Sequence, residues 1–206
     1  MTVLMAVFFG YRAYLNQGRD NSLLTGTPCE PPCWQDIIPG KTTSTEAIEL
    51  LKKSPFVDQE SLDQFGSVDA GGATWWWRVP GKRLQPKISW VHDTVIEIVQ
   101  GLTVEITIEE ILSTYGPPEF VTVDPGGIPE NAYWIVRLHY PAQGLSLYSY
   151  ATSIEDSTTI EVAEYYIPVS ADERKSDLAD KFQYSEQDFF EWAGYGEIQG
   201  LYSKNP

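Results

Sequence analysis

Apolar residues in this chain recur with two different periods, and the order in which the periods alternate predicts the architecture. From Thr43 onward, Ala47, Ile48, Leu50 and Leu51 fall on one side of a helical turn. Thr43 with Glu46 three residues later forms a capping box, in which each side chain satisfies a free amide at the helix start, and Pro55 stops the helix. Beyond it the pattern becomes that of strands, at residues 64–68, 73–79, 87–91 and 94–100. His92-Asp93 reads as the tight hairpin turn between the last two.

The same order then returns. Thr107 and Glu110 make a second capping box, Ile111, Leu112 and Tyr115 share a helical face, and Gly116-Pro117-Pro118 ends it. Strands are predicted at 119–124, 133–140, 145–150 and 158–167. The capping threonines stand 64 residues apart, and a helix, a proline stop and four strands follow each of them. The expected fold class is therefore α+β, with two tandem units of one helix and a four-stranded antiparallel sheet, at 37–101 and 102–169. A tail at 170–206 follows, charged from 172 to 181. Ser185 and Asp188 are placed to cap a last short helix carrying Phe189, Phe190 and Trp192 and ended by Gly194. Those aromatics are expected to dock on the main domain.

The stretch Gly40-Lys41-Thr42-Thr43-x-x-Glu46-Ala47-x-x-Leu50-Leu51, with Tyr115-Gly116-Pro117-Pro118 closing the second helix, resembles the Gly-x-Thr-x-x-Glu-(apolar)-x-x-x-Leu-Gly-x-Pro signature of one superfamily. Its members include the small lipoprotein of the outer-membrane β-barrel assembly machinery and the β-lactamase-inhibitor protein. The first copy departs from the signature, ending Lys52-Lys53-Ser54-Pro55, and no lipoprotein cysteine stands at the expected place. The resemblance implies a helix packed on a small antiparallel sheet, export from the cytoplasm, and protein binding in place of catalysis. It carries over no functional residue.

The amino terminus bears on the compartment. Residues 3–11 are a nearly continuous apolar run, reaching past Arg12 to Tyr14 and Leu15. That is shorter than the roughly 20 residues of a spanning helix, and it lacks the basic start of a signal peptide. An uncleaved membrane anchor, an atypical signal and a helix packed on the domain all fit. The anchor is the expectation adopted, because the polar stretch 16–27, within a linker at 16–36, reads as a tether. Cys29 and Cys33 are the only cysteines, with three residues between them where a redox or haem motif has two, and His92 and His139 are too remote to complete a zinc site. A small-loop disulfide or two inert thiols remain, and a disulfide is expected if the compartment oxidises.

Composition narrows the partners. With 14 Lys and Arg against 29 Asp and Glu, the chain carries a formal charge of −15, which repels a phosphate backbone and argues against nucleic acid. Apolar residues make up 42% of the chain, enough for a core, so most of the chain is not expected to be disordered.

Trp75-Trp76-Trp77 invites a binding role. On a strand Trp75 and Trp77 share one face and Trp76 takes the other, so with Trp90 and Trp134 they could form an aromatic surface. Burial in the core is the competing expectation. His92, His139, Ser89, Ser146 and the acidic pairs Glu109/Glu110 and Glu161/Glu164 sit in no catalytic motif, and Gly71-Gly72 and Gly126-Gly127 are turns and not phosphate loops. No cofactor and no enzyme activity are expected. The function anticipated is a membrane-tethered binding or scaffold module at the cell envelope or extracellular face, with an unidentified protein partner, acting through its sheet face or inter-repeat cleft. Two alternatives stand beside it: a secreted enzyme inhibitor that inserts the loop at 124–131 into its target, and a carbohydrate-binding module using the tryptophans.

Overall fold

Both capping boxes form. In the computed structural model, which describes residues 20–67, 72–78, 85–127, 132–170 and 174–202, the Thr43 hydroxyl accepts the Glu46 amide at 3.2 Å and the Glu46 carboxylate accepts the Thr43 amide at 3.0 Å. Thr107 and Glu110 repeat the arrangement at 3.2 and 2.9 Å. The helices they open are α2 (Ser44–Lys53) and α3 (Ile108–Tyr115), preceded by one short turn, α1 (Ser22–Thr25). Ala47 and Leu51 on α2, and Ile108 and Ile111 on α3, are buried.

The strands are β1 (Asp63–Ser67), β2 (Gly72–Trp76), β3 (Lys87–Val91), β4 (Thr94–Thr107), β5 (Phe120–Gly126), β6 (Tyr133–Tyr140), β7 (Leu145–Ala151), β8 (Ser153–Ile154) and β9 (Thr159–Tyr166). Eight of them make one antiparallel sheet, in the order β1-β2-β3-β4-β9-β7-β6-β5. Two four-stranded meanders thus meet edge to edge through β4 and β9. The expected hairpin at His92-Asp93 is present: both residues have positive φ, 46° and 64°, the backbone that lets a two-residue turn follow the twist of its strands.

Each helix start is tied to its own meander in a comparable way. Thr43 bridges Thr94, and the Ser44 amide donates to the Asp93 carbonyl at 3.0 Å. Thr107 pairs with Thr159, and the Ile108 and Glu109 amides donate to the carbonyls of Thr158 and Asp156 at 2.8 and 3.1 Å.

The core lies on one side of this sheet, called here the inner face. Ile88, Ile98, Leu138, Leu147, Ala163 and Tyr165 from the strands meet Ala47, Leu51, Ile108 and Ile111 from the helices. The stretch expected to be a free tether is packed here where it is described. Leu23 is in the core, Asp20 is buried, and the Asp20 carboxylate accepts the Trp34 indole N–H at 2.5 Å. The apolar run at 1–15, and with it the anchor expectation, lies outside the described residues. Among the described residues no helix is long and apolar enough to cross a membrane.

The tail wraps the sheet. Helix α4 (Arg174–Phe182) lies against the outer face of the second meander, where Leu178 and Ala179 join Tyr166 and Phe189 in a small separate cluster. Ser185 and Asp188 do cap a turn, but it is a single 3-10 turn, Glu186–Asp188. The expected helix through Phe189, Phe190 and Trp192 does not form, because Phe190 exchanges two backbone hydrogen bonds of 2.8 Å with Val121 at the edge of β5 instead. The chain then crosses to the inner face. There β10 (Gly196–Glu197) pairs with β8, and α5 (Ile198–Leu201) brings Ile198 and Tyr202 into the main core.

Candidate functional site

The five candidate tryptophans, Trp75, Trp76, Trp77, Trp90 and Trp134, do not assemble into one exposed platform. Alternation works as expected: Trp75 and Trp77 point inward and Trp76 outward. Trp77 is fully buried and stacks on Trp34 with centroids 5.7 Å apart, and buried Trp90 stacks on half-buried Trp75 at 6.3 Å. The indole N–H groups of Trp75, Trp77 and Trp90 are sealed without a hydrogen-bond partner among the described residues, so these rings act as packing surfaces. Trp76 is half-buried on the outer face, opposite Asp63 and Lys87. Trp134 is half-buried on β6, four strands along the sheet from β3, and it lines a cleft at the far edge.

Cys29 and Cys33 are disulfide-bonded, with Cα atoms 5.7 Å apart. The bond closes the loop ahead of Trp34, whose backbone pairs reciprocally with Ile37 at 3.0 and 2.9 Å. Among the described residues the one tight group of metal-type ligands is Cys29, Cys33 and Asp36, and both of its sulfurs are consumed by the disulfide.

Folding does bring a serine and a histidine together. His139 Nδ1 lies 2.8 Å from Ser146 Oγ, and its Nε2 lies 3.0 Å from Thr122 Oγ1. All three residues are buried, with Phe182 and Phe189 packed over the imidazole at 5.1 and 5.4 Å. Burial first, then the charges of Arg137 and Lys181, lower the His139 pKa to about 3, which keeps the ring neutral. Both residues sit on paired strands inside the sheet, whose amides are committed to the ladder and leave no donor pair for an oxyanion. The group is a satisfied polar network in the packing. His92 is exposed in its turn.

The acidic pair that matters is Glu97 with Glu164. Each is flanked by apolar residues on its strand, β4 and β9 respectively, and Lys181 of α4 reaches between them with Nζ 2.9 Å from an oxygen of each. Lys87 adds a 2.7 Å contact to Glu97, and the Tyr148 hydroxyl donates to Glu164. Burial, opposed by Lys181 and reinforced by the Glu97 charge, pushes Glu164 up to about 7. Burial works against ionised Glu97 too, but Lys181, the hydrogen bond with Glu164 and Lys87 outweigh it and hold that group low. The pair therefore favours a single negative charge, held mainly on Glu97 and facing the Lys181 and Lys87 ammonium groups. Glu164 is only 4% exposed, and α4 closes the site, so the cluster fastens the helix to the sheet. A Glu flanked by apolar residues on each strand was its only sequence signal; the partner strand and Lys181 are distant in the chain.

Two open surfaces among the described residues carry aromatic side chains at opposite edges of the sheet. The outer face of the first meander carries Phe65, which is 77% exposed, Val91 at 37%, half-buried Trp76, and Thr74 with its hydroxyl 3.2 Å from that of Ser89. At the far edge, a cleft of about 380 Å³ opens beside β5, lined among others by Val123, Asp124, Trp134, Phe190, Ile198 and Tyr202. Of the loop expected at 124–131, residues 124–126 belong to β5, and 128–131 lie outside the described residues.

Compared with known proteins, the chain matches no family model, no curated protein and no solved structure.

Proposed function

We propose that this chain is a noncatalytic protein-binding or scaffold module of the extracytoplasmic side, tethered by the apolar run at 3–15, and that it binds its partner through the open outer face of the first meander. The observation that carries this reading is Phe65, a phenylalanine 77% exposed on an antiparallel strand, with Val91 at 37% and Trp76 beside it on the same face. A large apolar side chain held in water on a rigid sheet is a cost to solubility and a gain to binding, and aromatics dominate the energetics of protein interfaces. The disulfide supports an oxidising compartment.

The same reading takes the two meanders as copies of one unit, as the superfamily resemblance implies. What supports it is the offset of 64 residues from Thr43 to Thr107 and 65 from Thr94 to Thr159, two pairs that hold their helices in the same way. The reading as a binding module is tested by placing a photo-crosslinking amino acid at Phe65 or Trp76 in the native cells, with Ser176 on the exposed side of α4 as control. A discrete adduct is expected from the first two positions and none from the third. Adducts that are absent, or that form equally at all three, would sink it.

A further inference from the structure

The sheet forks between β7 and β9. The two strands pair from Leu145 with Tyr165 to Tyr148 with Val162, and no further. Beyond that point each follows its other neighbour. β7 stays on β6 as far as Ala151, while Thr159 and Ile160 of β9 stay on the end of β4. Ser149 spans the gap with its side chain, its hydroxyl donating to the Thr159 carbonyl at 2.7 Å. A dish of about 450 Å³ opens in the fork, within the range of small-ligand sites.

Its walls are of two kinds. One is aromatic: Tyr133 and Tyr150, both half-buried, meet edge to face with centroids 5.6 Å apart. Tyr133 is seated on Gly126, its partner across from it on β5, where any Cβ would collide with the ring. The other wall carries hydroxyls, with Thr152, Ser153, Ser157, Thr158 and Thr159 lining it. That wall is braced from within. The Ser153 hydroxyl donates to the Glu155 carboxylate at 3.1 Å, and the Glu155 amide donates to the Thr158 hydroxyl at 2.8 Å. The Thr158 amide returns to the Glu155 carbonyl at 3.1 Å, and β10 holds Ser153 from the other side.

Charge and polarity narrow the ligand. No basic residue lines the dish, and no Lys or Arg occurs anywhere from 138 to 173. An anion would find no cation there, and Glu155 would repel it. An apolar ligand would strip water from the hydroxyls and give them no hydrogen bond in return. A neutral sugar answers both walls. Its hydroxyls donate and accept, as serine, threonine and carboxylate groups require, and its C–H face packs on an aromatic ring.

We propose that the fork between β7 and β9 binds a neutral saccharide, one sugar packing on Tyr133 while Thr152, Glu155 and Ser157 exchange hydrogen bonds with its hydroxyls. None of the candidate tryptophans lines this dish, and Phe65 lies at the far edge of the sheet. The inference is therefore independent of the protein-binding face proposed above.

The test presents the full chain with glucose, galactose, mannose and N-acetylglucosamine, each as monomer and as linked tetramers, followed by saturation-transfer NMR. Galacturonate serves as the anionic counterpart and putrescine as the cationic one. At least one neutral saccharide should bind with a Kd of about 5 mM or lower, and galacturonate at least about tenfold more weakly. Tyr133→Ala should weaken the best saccharide by about tenfold. Gly126→Ala, which displaces the ring without touching the ligand, should weaken it by about threefold. Replacing Thr152 and Ser157 together by Ala, at two exposed positions, should cost about tenfold with an unchanged circular dichroism spectrum. The proposal fails if no neutral saccharide binds, or if putrescine binds more tightly than the best of them. It fails equally if the ring variants and the hydroxyl variant all leave saccharide affinity unchanged, which would put the sugar elsewhere on the protein.

Discussion

The two halves of the sheet offer the same outer face in two conditions. Val99 lies opposite Glu164 at the centre of the sheet, and two strands outward from that pair stand Trp76 on one side and His139 on the other. His139 lies under Phe182 and Phe189 and is fully buried; Trp76 is half-buried, and its neighbour Phe65 stands in water. The difference is made by α4 and the turn after it, which lie over the second meander and have no counterpart over the first among the described residues. What a sheet face becomes, core or surface, is decided by whether the chain supplies a cover. The residues adjusted to suit: the covered half has a neutral histidine bonded on both nitrogens, and the open half has Thr74, Ser89 and Lys87 around its aromatics.

The largest expected effect comes from weakening the cover. Leu178 is fully buried between α4 and the sheet, and Leu178→Ala should cost about 2–5 kcal/mol, because it removes buried carbon and leaves a cavity. Urea unfolding followed by hydrogen exchange should place the loss on α4 and on the outer-facing residues of β6, β7 and β9. Uniform loosening of both halves would break the comparison.

A smaller effect follows from protonation. Glu164 has its folded pKa raised to about 7, so its contribution is complete below the unfolded value near 4.5 and is lost as pH rises toward 7. His139 is the reverse case: with its folded pKa lowered to about 3, its contribution is complete above the unfolded value near 6.5 and is lost as pH falls. Ionised Glu97, held low, adds to the acid-side loss below about 4.5. The two limbs overlap between about 4.5 and 6.5 and oppose each other there, so stability should peak in that window. Glu164→Gln should flatten the decline from pH 6.5 to 8 and leave the acid limb in place. A wild-type profile that is level from pH 6.5 to 8 would contradict the assignment.

The smallest effect belongs to the open half. Phe65→Ser removes an exposed ring and should change stability by less than about 0.5 kcal/mol, read from the shift in the denaturation midpoint. A loss above 1 kcal/mol, on the same scale, would mean that the ring is packed and the face is not open.

Local signals were legible in the sequence, and distant pairings were not. Thr43 with Glu46, Thr107 with Glu110, and His92-Asp93 are interactions within four residues, and all three formed as read. The limits of β4 were missed, since the strand runs on from Gln100 to Thr107 through an irregularity between Gly101 and Ile106 that breaks the alternation. The joining of β4 to β9 left no trace, because apolar strands of similar composition do not announce their partners. For the same reason Glu164 was read against Glu161, its neighbour in sequence, and not against Glu97, its neighbour in space. The tail misled through Ser185 and Asp188: the cap is real, but bonding to Val121 takes the chain out of helix three residues later.

The long seam between β4 and β9 also sets a schedule during synthesis. Glu97 emerges from the ribosome well before Tyr166, its partner across the seam. At about 5–20 residues per second, that gap of some 70 residues lasts roughly 3–15 seconds. Throughout it the first meander is complete, while the edge of β4, rich in Val and Ile, has no strand beside it. Such an edge recruits whatever strand it meets, including the β4 of a neighbouring nascent chain. Yield should therefore depend on translation speed between β4 and β9 and on how closely ribosomes crowd the message, more than on the stability of the finished protein.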